Sequence, residues 1–221
     1  APRNETGIVY HLTTRHEFWA DSMYMLPPFL AEAGYAAEAL QNLFGYWEAL
    51  YDPAAHLMCH MWDDDRKVYT RKAHWGTGSG WTLAALVRVD SLLDHRYDKE
   101  KGMLRSMFRE LLDGVLKWKR SDGFFGDVID EAESFSETNL AQMTAYSIYR
   151  GVMQQMIPDT YLEEAHLLRK AANSKVTEEG FVRDVCGAPG FDKPGYSPEG
   201  QASYLMMEQA CREWKEKREV F

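Results

Sequence analysis

An aspartate at a predicted helix start is the strongest candidate for proton-transfer chemistry in this sequence. Asp21 lies between Trp19 and Met23, where apolar neighbours raise the pKa of a carboxyl group and a helix N-terminus lowers it. A carboxyl group balanced between these two effects can act as general acid and general base near neutral pH. The same position also suits a helix N-cap, and the sequence alone leaves both roles open.

Aromatic rings, imidazoles and glycines occur together in a second part of the chain. His60 and Trp62 precede a glycine-rich segment that begins at Trp75 and ends at Trp81. No strand precedes the glycines and no lysine follows them, which excludes a phosphate-binding loop. The combination favours a sugar site, with an imidazole for hydrogen bonds and Trp75 as a stacking platform. Large aromatics in a hydrophobic core remain the alternative explanation.

Other polar residues give weaker signals. Glu137 lies at a later helix start that is equivalent to the start at Asp21, and Glu199 holds a looser equivalent position. Acidic residues in a first helical turn are also favoured by the helix dipole alone. No metal site is predicted, because His11, His60 and His74 match no zinc spacing and neither HExxH nor CxxC occurs.

The loops that carry these residues repeat along the chain. His11, Asp127 and Asp184 each lie four residues after a glycine, and His60 lies four residues after His56. The repeat from His11 to Asp184 has a period of about 58 residues, which is the size of two antiparallel helices and one long loop. Such hairpins place all the long loops at one end of the fold, where they can build a site.

Apolar spacing predicts helices almost everywhere and no strand of useful length. We expect at least six helices, starting close to Asp21, Gly78, Glu137 and Glu199, and no sheet larger than a short hairpin. Prolines 27 and 28 should interrupt the helix near 19–34. The predicted helical segments are 19–34, 36–50, 81–93, 104–118, 138–155, 159–173 and 198–216.

Charge and composition exclude several classes of partner. The 221 residues carry 25 Lys+Arg against 34 Asp+Glu, and a net charge of −9 argues against nucleic acid or an anionic membrane. No run of about 18 apolar residues predicts a transmembrane helix. Three scattered cysteines give neither a disulfide framework nor a zinc cluster. The compartment stays open between cytoplasmic and secreted.

Several segments, taken together, resemble the unsaturated uronyl hydrolases of glycoside hydrolase families 105 and 88, especially the unsaturated rhamnogalacturonyl hydrolases of family 105. The matching segments run in family order through nearly the whole chain, and they are WADSMYMLPPFLA from Trp19, HMWD from His60, WGTGSGW from Trp75, ETN from Glu137 and GYSPEGQ from Gly195. The resemblance implies an all-α (α/α)6 barrel formed by residues 1–221 as a single domain, the C-terminal portion of the family fold without its N-terminal hairpins.

The resemblance also implies an activity, a substrate and a set of site residues. A family member releases a 4,5-unsaturated uronic acid from lyase-generated pectin-type oligosaccharides by hydrating the enol ether, and it needs no cofactor. Asp21 matches the catalytic aspartate. The remaining positions expected to bind substrate are His11, Trp19, His60, Trp62, Trp75, Thr77, Trp81 and Glu137.

One position departs from the family pattern. The family often has arginine where this chain has Thr77, and that arginine meets the substrate carboxylate; His11, His60, His74 and Arg71 are candidates to replace it. The alternative is a non-catalytic or repurposed protein that binds a carbohydrate or another small molecule on the same fold. A hydrolase or lyase acting on a neutral ligand is a third possibility. Apolar helix faces without ring neighbours predict a homo-oligomer or association with an N-terminal segment.

Overall fold

The computed structural model describes residues 1–188 and 190–219. Most of this part of the chain is helical. The α-helices are α1 (Ser22–Met25), α2 (Pro27–Glu32), α3 (Ala36–Leu50), α4 (Gly76–Leu92), α5 (Asp98–Leu116), α6 (Asn139–Met153), α7 (Leu162–Asn173) and α8 (Pro198–Glu219). Short 3₁₀ turns precede α5 and α7, at His95–Tyr97 and Asp159–Tyr161. No helix in this described part is long and apolar enough to cross a bilayer.

Short strands lie in the loops between the helices. They are β1 (Glu17–Trp19), β2 (Tyr51–Asp52), β3 (Leu57–Met58), β4 (Met61–Asp63), β5 (Val68–Arg71), β6 (Phe125–Gly126), β7 (Ser136–Glu137), β8 (Val185–Cys186) and β9 (Pro194–Gly195). Three antiparallel pairs are two-stranded, namely β2–β3, β6–β7 and β8–β9. The remaining three strands form one antiparallel sheet in the order β1-β4-β5.

The predicted helices are confirmed, and their starts are close to the expected residues. Helices begin within two residues of Asp21, Gly78, Glu137 and Glu199. The helix break at the prolines is also confirmed, since α1 ends at Met25 and α2 restarts with Pro27 in its first turn. The expected deep burial of α4 is confirmed, because nearly all of its residues are buried.

Two details of the prediction are wrong. Trp118 does not belong to α5, which ends at Leu116, and its side chain is largely exposed. The largest sheet has three strands and therefore exceeds a short hairpin. Its strands have only three or four residues, so no period-2 alternation is long enough to reveal them, and the pairing of β1 with β4 joins distant parts of the chain.

The repeated loops each have a residue with positive φ at the same place. Gly7, Gly123 and Gly180 have φ values of +83°, +85° and +89°, and His56 has φ +56° at the equivalent place. Glycine adopts this left-handed region without steric cost, whereas an L side chain rarely does. The four-residue spacing after a glycine therefore marks one turn that occurs three times, in which the glycine N–H donates to the carbonyl three residues back. The turn at His56 is one residue longer, because the His56 N–H donates to the Asp52 carbonyl.

Contacts divide the chain into two compact units, Ala1–Val115 and the part from Leu116 onward. In the first unit α2 packs against α3 and α4. In the second unit α6 packs against both α7 and α8. Each unit has fully buried apolar side chains, such as Leu43 and Leu86 in the first and Phe125 and Tyr149 in the second. A single domain over 1–221 stays a prediction.

Candidate active site

The three-stranded sheet brings the predicted acid and a predicted histidine together. Trp19 at the end of β1 pairs with Met61 in β4, and Met61 pairs in turn with Arg71 at the end of β5. The Ala20 N–H donates to the His60 carbonyl at 2.9 Å, which extends the ladder beyond the strand ends. Asp21 follows β1 by two residues, and His60 directly precedes β4. Because Trp19 pairs with Met61, the two side chains lie next to each other at this end of the sheet.

Asp21 forms a side-chain contact with His60 and does not cap α1. Its Oδ2 lies 3.3 Å from His60 Nε2, while its backbone is already helical at φ −55° and ψ −39°. An N-cap residue normally has extended backbone and accepts a bond from the second or third helical N–H. No such side-chain bond is present at Asp21. The carboxyl group is therefore available for other chemistry, with a side chain that is 19% exposed beside an imidazole that is 5% exposed.

Arg71 fixes the proton on His60. Its guanidinium Nη1 lies 2.8 Å from His60 Nδ1, and a guanidinium can only donate. His60 Nδ1 must accept, so the single ring proton of the neutral imidazole lies on Nε2 and is donated to Asp21. We call these residues the Arg71–His60–Asp21 chain. Hydrogen bonds in this chain run from Arg71 to His60 and from His60 to the Oδ2 atom of Asp21. The Oδ1 atom of Asp21 can therefore interact with a ligand.

Aromatic rings surround this chain. His11 stacks on Trp19 with ring centroids 4.3 Å apart, and Trp19 meets His60 edge-on at 5.9 Å. Trp75 stacks on His60 at 4.5 Å. The structure therefore brings His11, Trp19, His60 and Trp75 to one place around Asp21. Trp75 is only 5% exposed with one face covered by His60, and its role as a sugar platform stays a prediction.

His11 is held neutral in this group. Burial lowers the pKa of His11 below its ordinary value of 6.5, and His60 acts in the same direction, while Asp21 and Glu17 oppose them. Its Nδ1 lies 2.9 Å from Ser22 Oγ in the first turn of α1. A neutral imidazole can donate or accept a hydrogen bond toward a ligand without adding charge near Asp21.

The remaining candidates of the first unit lie in β4 and α4. Trp62 in β4 is half-buried and meets Tyr69 edge-on at 5.0 Å. Trp81 in α4 is buried and packs on Tyr24 at 4.8 Å. Thr77 is buried in the first turn of α4. The ring contacts of Trp62 and Trp81 are with Tyr69 and Tyr24 and not with Asp21, so contact of these three residues with a substrate stays a prediction.

Glu137 lies in the second unit and has a different environment. Its side chain is fully buried, and its oxygens accept from the N–H groups of Asn139, Leu140 and Cys186 at 2.8, 2.8 and 3.0 Å. Burial raises its pKa to about 7 although these three donors oppose the shift, and Asp127 adds to the rise. The structure thus gives Glu137 a role in ordering the start of α6, and its contact with substrate stays a prediction.

Two residues that support the site were missed from the sequence. Glu17 is buried and accepts a hydrogen bond from Trp19 Nε1 at 2.8 Å. Ser22 bonds with His11 as described above. The alternation of Glu17 and Trp19 on one face of β1 is the signal that could have identified Glu17, but a strand of three residues shows too little of it.

The sequence model of Glycosyl Hydrolase Family 88 matches residues 1–211. The chain belongs to glycosyl hydrolase family 88. No curated protein matches the chain significantly. The family membership agrees with the resemblance seen in the motifs, and the loops that carry Asp21, His60 and Trp75 lie inside the matched range.

Solved structures with the same fold add detail. A possible member of glycoside hydrolase family 105 from Salmonella enterica serovar Paratyphi A has a TM-score of 0.88 at 19% identity, covering 95% of this chain and 61% of that one. A family 105 glycoside hydrolase from C. acetobutylicum has a TM-score of 0.86 at 19% identity, covering 95% and 69%. An unsaturated glucuronyl hydrolase from Bacillus sp. GL1, responsible for glycosaminoglycan degradation, has a TM-score of 0.71 at 15% identity, covering 87% and 58%.

These likenesses confirm the predicted all-α class and the (α/α)6-barrel fold of family 88. The chain spans 61% of the length of the Salmonella protein and 58% of the length of the Bacillus protein.

Proposed function

We propose that this family 88 chain carries the acid/base residue of an unsaturated uronyl hydrolase. The observation that supports this most directly is the Asp21–His60 contact, because it gives a partly exposed carboxyl group an orienting partner instead of a helix cap. General acid catalysis needs such a group within hydrogen-bonding reach of the reacting atom. The aromatic rings around it suit a sugar.

The proposed reaction is hydration of an enol ether. Protonated Asp21 gives its proton to C4 of the 4,5-unsaturated uronic acid, and positive charge develops at C5 and the ring oxygen. The Asp21 carboxylate then takes a proton from a water molecule as that oxygen bonds to C5. The resulting hemiketal opens and releases the neighbouring sugar, and Asp21 ends protonated as it began. His60 is a positioning residue here, since its Nε2–H holds Oδ2 and leaves Oδ1 for the proton transfer.

Arg71 is proposed to recognise the uronate carboxylate in place of the arginine missing at Thr77. Its side chain is half-buried, and its guanidinium carbon lies 5.9 Å from the centre of the Trp75 ring. One of its five N–H groups serves His60, which leaves donors for a carboxylate. The finer proposal of a rhamnogalacturonan-type substrate rests on the resemblance of the sequence motifs to family 105.

Loss of activity in Asp21→Asn tests the acid/base role. Asn keeps the size and the acceptor oxygen of Asp21 but cannot exchange a proton, so we expect turnover to fall by about 10² to 10⁴. Activity is followed by loss of the enol-ether absorbance of an unsaturated rhamnogalacturonan disaccharide. Asp64→Asn is the matched control, since that acid is half-buried nearby and bonds to Lys67 and Tyr10. Near-native turnover by Asp21→Asn would refute the proposal.

A substrate comparison tests the role of Arg71. We expect Arg71→Gln to raise KM for the free acid by about tenfold to hundredfold, as loss of a hydrogen bond to a charged group predicts. The methyl ester of the same disaccharide should bind both proteins alike, because it lacks the carboxylate charge. Arg66→Gln, which alters an exposed arginine in the loop before β5, is the control. An equal change for acid and ester would assign Arg71 to positioning of His60 alone.

The alternative function is sugar binding without catalysis. The buried stacking pair of Trp75 and His60 would serve a binding site as well as an enzyme. Calorimetric binding of the disaccharide together with no turnover over a day would favour this alternative. The predicted self-association is a separate proposal, which sedimentation of the purified chain tests.

A further inference from the structure

A second group of side chains lies beneath the loops of the candidate active site. Asp52 in β2, Cys59 after β3 and His74 before α4 each offer one ligand atom, and these three atoms all lie within 4.8 Å of one another. Cys59 is fully buried and His74 is 7% exposed. Asp52 and Cys59 belong to the β2–β3 hairpin and its end, while His74 lies beyond β5, so no short motif reveals the group in the sequence.

The β2–β3 turn assembles two of the three residues. Asp52 pairs with Leu57 across the hairpin, and the Cys59 N–H donates to the Leu50 carbonyl at 2.8 Å. Asp52 Oδ1 accepts from the N–H groups of Ala54 and Ala55, at 2.9 and 3.4 Å. This turn fixes the carboxylate and leaves its Oδ2 facing His74, whose Nε2 lies 3.6 Å away.

The donor set has a definite chemical preference. A thiolate, an imidazole and a carboxylate are the three ligand types that zinc takes in proteins, at about 2.0–2.3 Å from the ion. Two ligands at that distance in a tetrahedron stand roughly 3.3–3.6 Å apart, and the Nε2–Oδ2 distance of 3.6 Å matches this. Magnesium and calcium bind oxygen ligands and would not use a buried thiol.

We infer that Asp52, Cys59 and His74 bind a zinc ion. Three protein ligands leave the fourth tetrahedral position to a water molecule. The side chain of Asp52 is 17% exposed, which gives the ion a route to two otherwise buried ligands. The site is distinct from the Arg71–His60–Asp21 chain and does not depend on the proposed function.

Neighbouring groups compete with the ion but do not block it. Lys72 Nζ lies 3.7 Å from Asp52 Oδ2, with a side chain that is 65% exposed and free to swing into solvent. Tyr69 interacts with Cys59 and also donates to the Ala49 carbonyl at 3.2 Å. Zinc would replace the Lys72 ammonium as the cation on Asp52 and would bind Cys59 as its thiolate.

The placement gives the ion a structural effect on the candidate active site. Cys59 directly precedes His60, and His74 directly precedes Trp75. The rings of His60 and Trp75 stack with their centroids 4.5 Å apart. An ion held by Cys59 and His74 therefore joins the two backbone segments that position this stack. Zinc should stabilise the native chain and order both segments, because a ligand that binds only the folded state raises its stability.

Metal analysis of the purified chain tests the inference. After incubation with zinc and dialysis against metal-free buffer, the protein should retain about one zinc per chain. Cobalt in place of zinc should give a thiolate-to-metal charge-transfer band in the near ultraviolet. Cys59→Ser should abolish that band and weaken zinc binding by more than the roughly 10- to 100-fold that loss of an outer-shell partner costs.

Two variants keep the test decisive. Cys211→Ser alters a buried cysteine in α8, which like Cys59 forms no disulfide, and this variant should bind zinc like the parent chain. Asp52→Asn retains an Oδ1 acceptor for Ala54 and Ala55 while removing the charge, so it should fold and bind zinc weakly, and it decides the matter if Cys59→Ser does not fold. No retained zinc in the parent chain, or equal binding by Asp52→Asn, would overturn the inference.

Discussion

Asp21 and Glu137 hold equivalent places in the repeat, yet the two acids differ in burial and in hydrogen-bond partners. Asp21 is partly exposed, caps nothing and contacts an imidazole. Glu137 is fully buried and accepts from three backbone N–H groups around the start of α6. Because the two acids have equivalent places in their loops, the difference lies in their hydrogen-bond partners and in the burial of their side chains. These two properties decide which acid can reach a ligand.

The comparison separates a chemical role from a structural one. If the Glu137 carboxyl group turned toward a ligand, three buried N–H groups would lose their hydrogen-bond acceptor, which costs free energy. A carboxyl group beside one imidazole keeps an oxygen for exchange of a proton. The N-cap explanation left open for Asp21 therefore fails. Glu137 does have a structural role, although it lies in β7 just before α6 and not in the first turn of that helix.

The largest expected effect is on stability when Glu137 is truncated. Glu137→Ala should lower the free energy of unfolding by about 3–5 kcal/mol, because it leaves three backbone N–H donors without their buried carboxyl acceptor. Asp21→Ala should cost less than about 1 kcal/mol, since it removes one contact and no cap. Urea denaturation of both variants measures the difference, and equal losses would contradict the contrast between the two acids.

The stability of the folded chain should depend on pH because Glu137 is buried. Burial raises the pKa of Glu137 from 4.5 to about 7, so the folded state holds a proton that the unfolded state has released between these pH values. Stability must therefore fall as the pH rises from about 4.5 to 7, and this contribution is fully present below 4.5.

The control for this pH dependence is Glu137→Gln, which cannot titrate. Its unfolding midpoint in urea should lack the part of the decline that Glu137 causes, while histidines and other acids act in both proteins alike. Parallel curves for parent and variant between pH 4.5 and 7 would show that Glu137 does not titrate in this range.

The smallest expected effect concerns the turn that the repeats share. Gly180 has φ +89° and a Cβ there would meet no atom within 4 Å, so Gly180→Ala adds backbone strain and no clash. We expect a loss of about 1–2 kcal/mol in the free energy of unfolding. Gly102→Ala, in α5 and equally free of neighbours, should instead stabilise the chain by up to about 1 kcal/mol. Thermal unfolding of the two variants should shift in opposite directions.

The helices could be predicted because their signal is local. Apolar residues three and four apart, and prolines that restart α2, determine where helices begin and end. The loop repeat was also visible, since one turn needs the same spacing each time. Neither signal requires knowledge of which distant segments pair.

The site could be predicted only in part, because its geometry depends on pairing across the chain. The identity of Asp21 and His60 was expected, but their contact depends on β1 pairing with β4, and strands of three residues leave no pattern. The convergence of Asp52, Cys59 and His74 depends on the β2–β3 turn in the same way. Contacts of this kind are set by backbone hydrogen bonds that every residue type except proline can both donate and accept.

The short ladder between β1 and β4 has a consequence for how insertions would be tolerated. Three residue pairs fix which residue of one loop faces which residue of the other. Adding one residue between Trp19 and Asp21, or sliding β1 by one position, would displace the acid by about 3.3 Å and turn it to the opposite face. The hairpin turn between Asp63 and Val68 could grow without such a penalty. Length variation among natural homologues should therefore be frequent in that hairpin and rare beside Asp21.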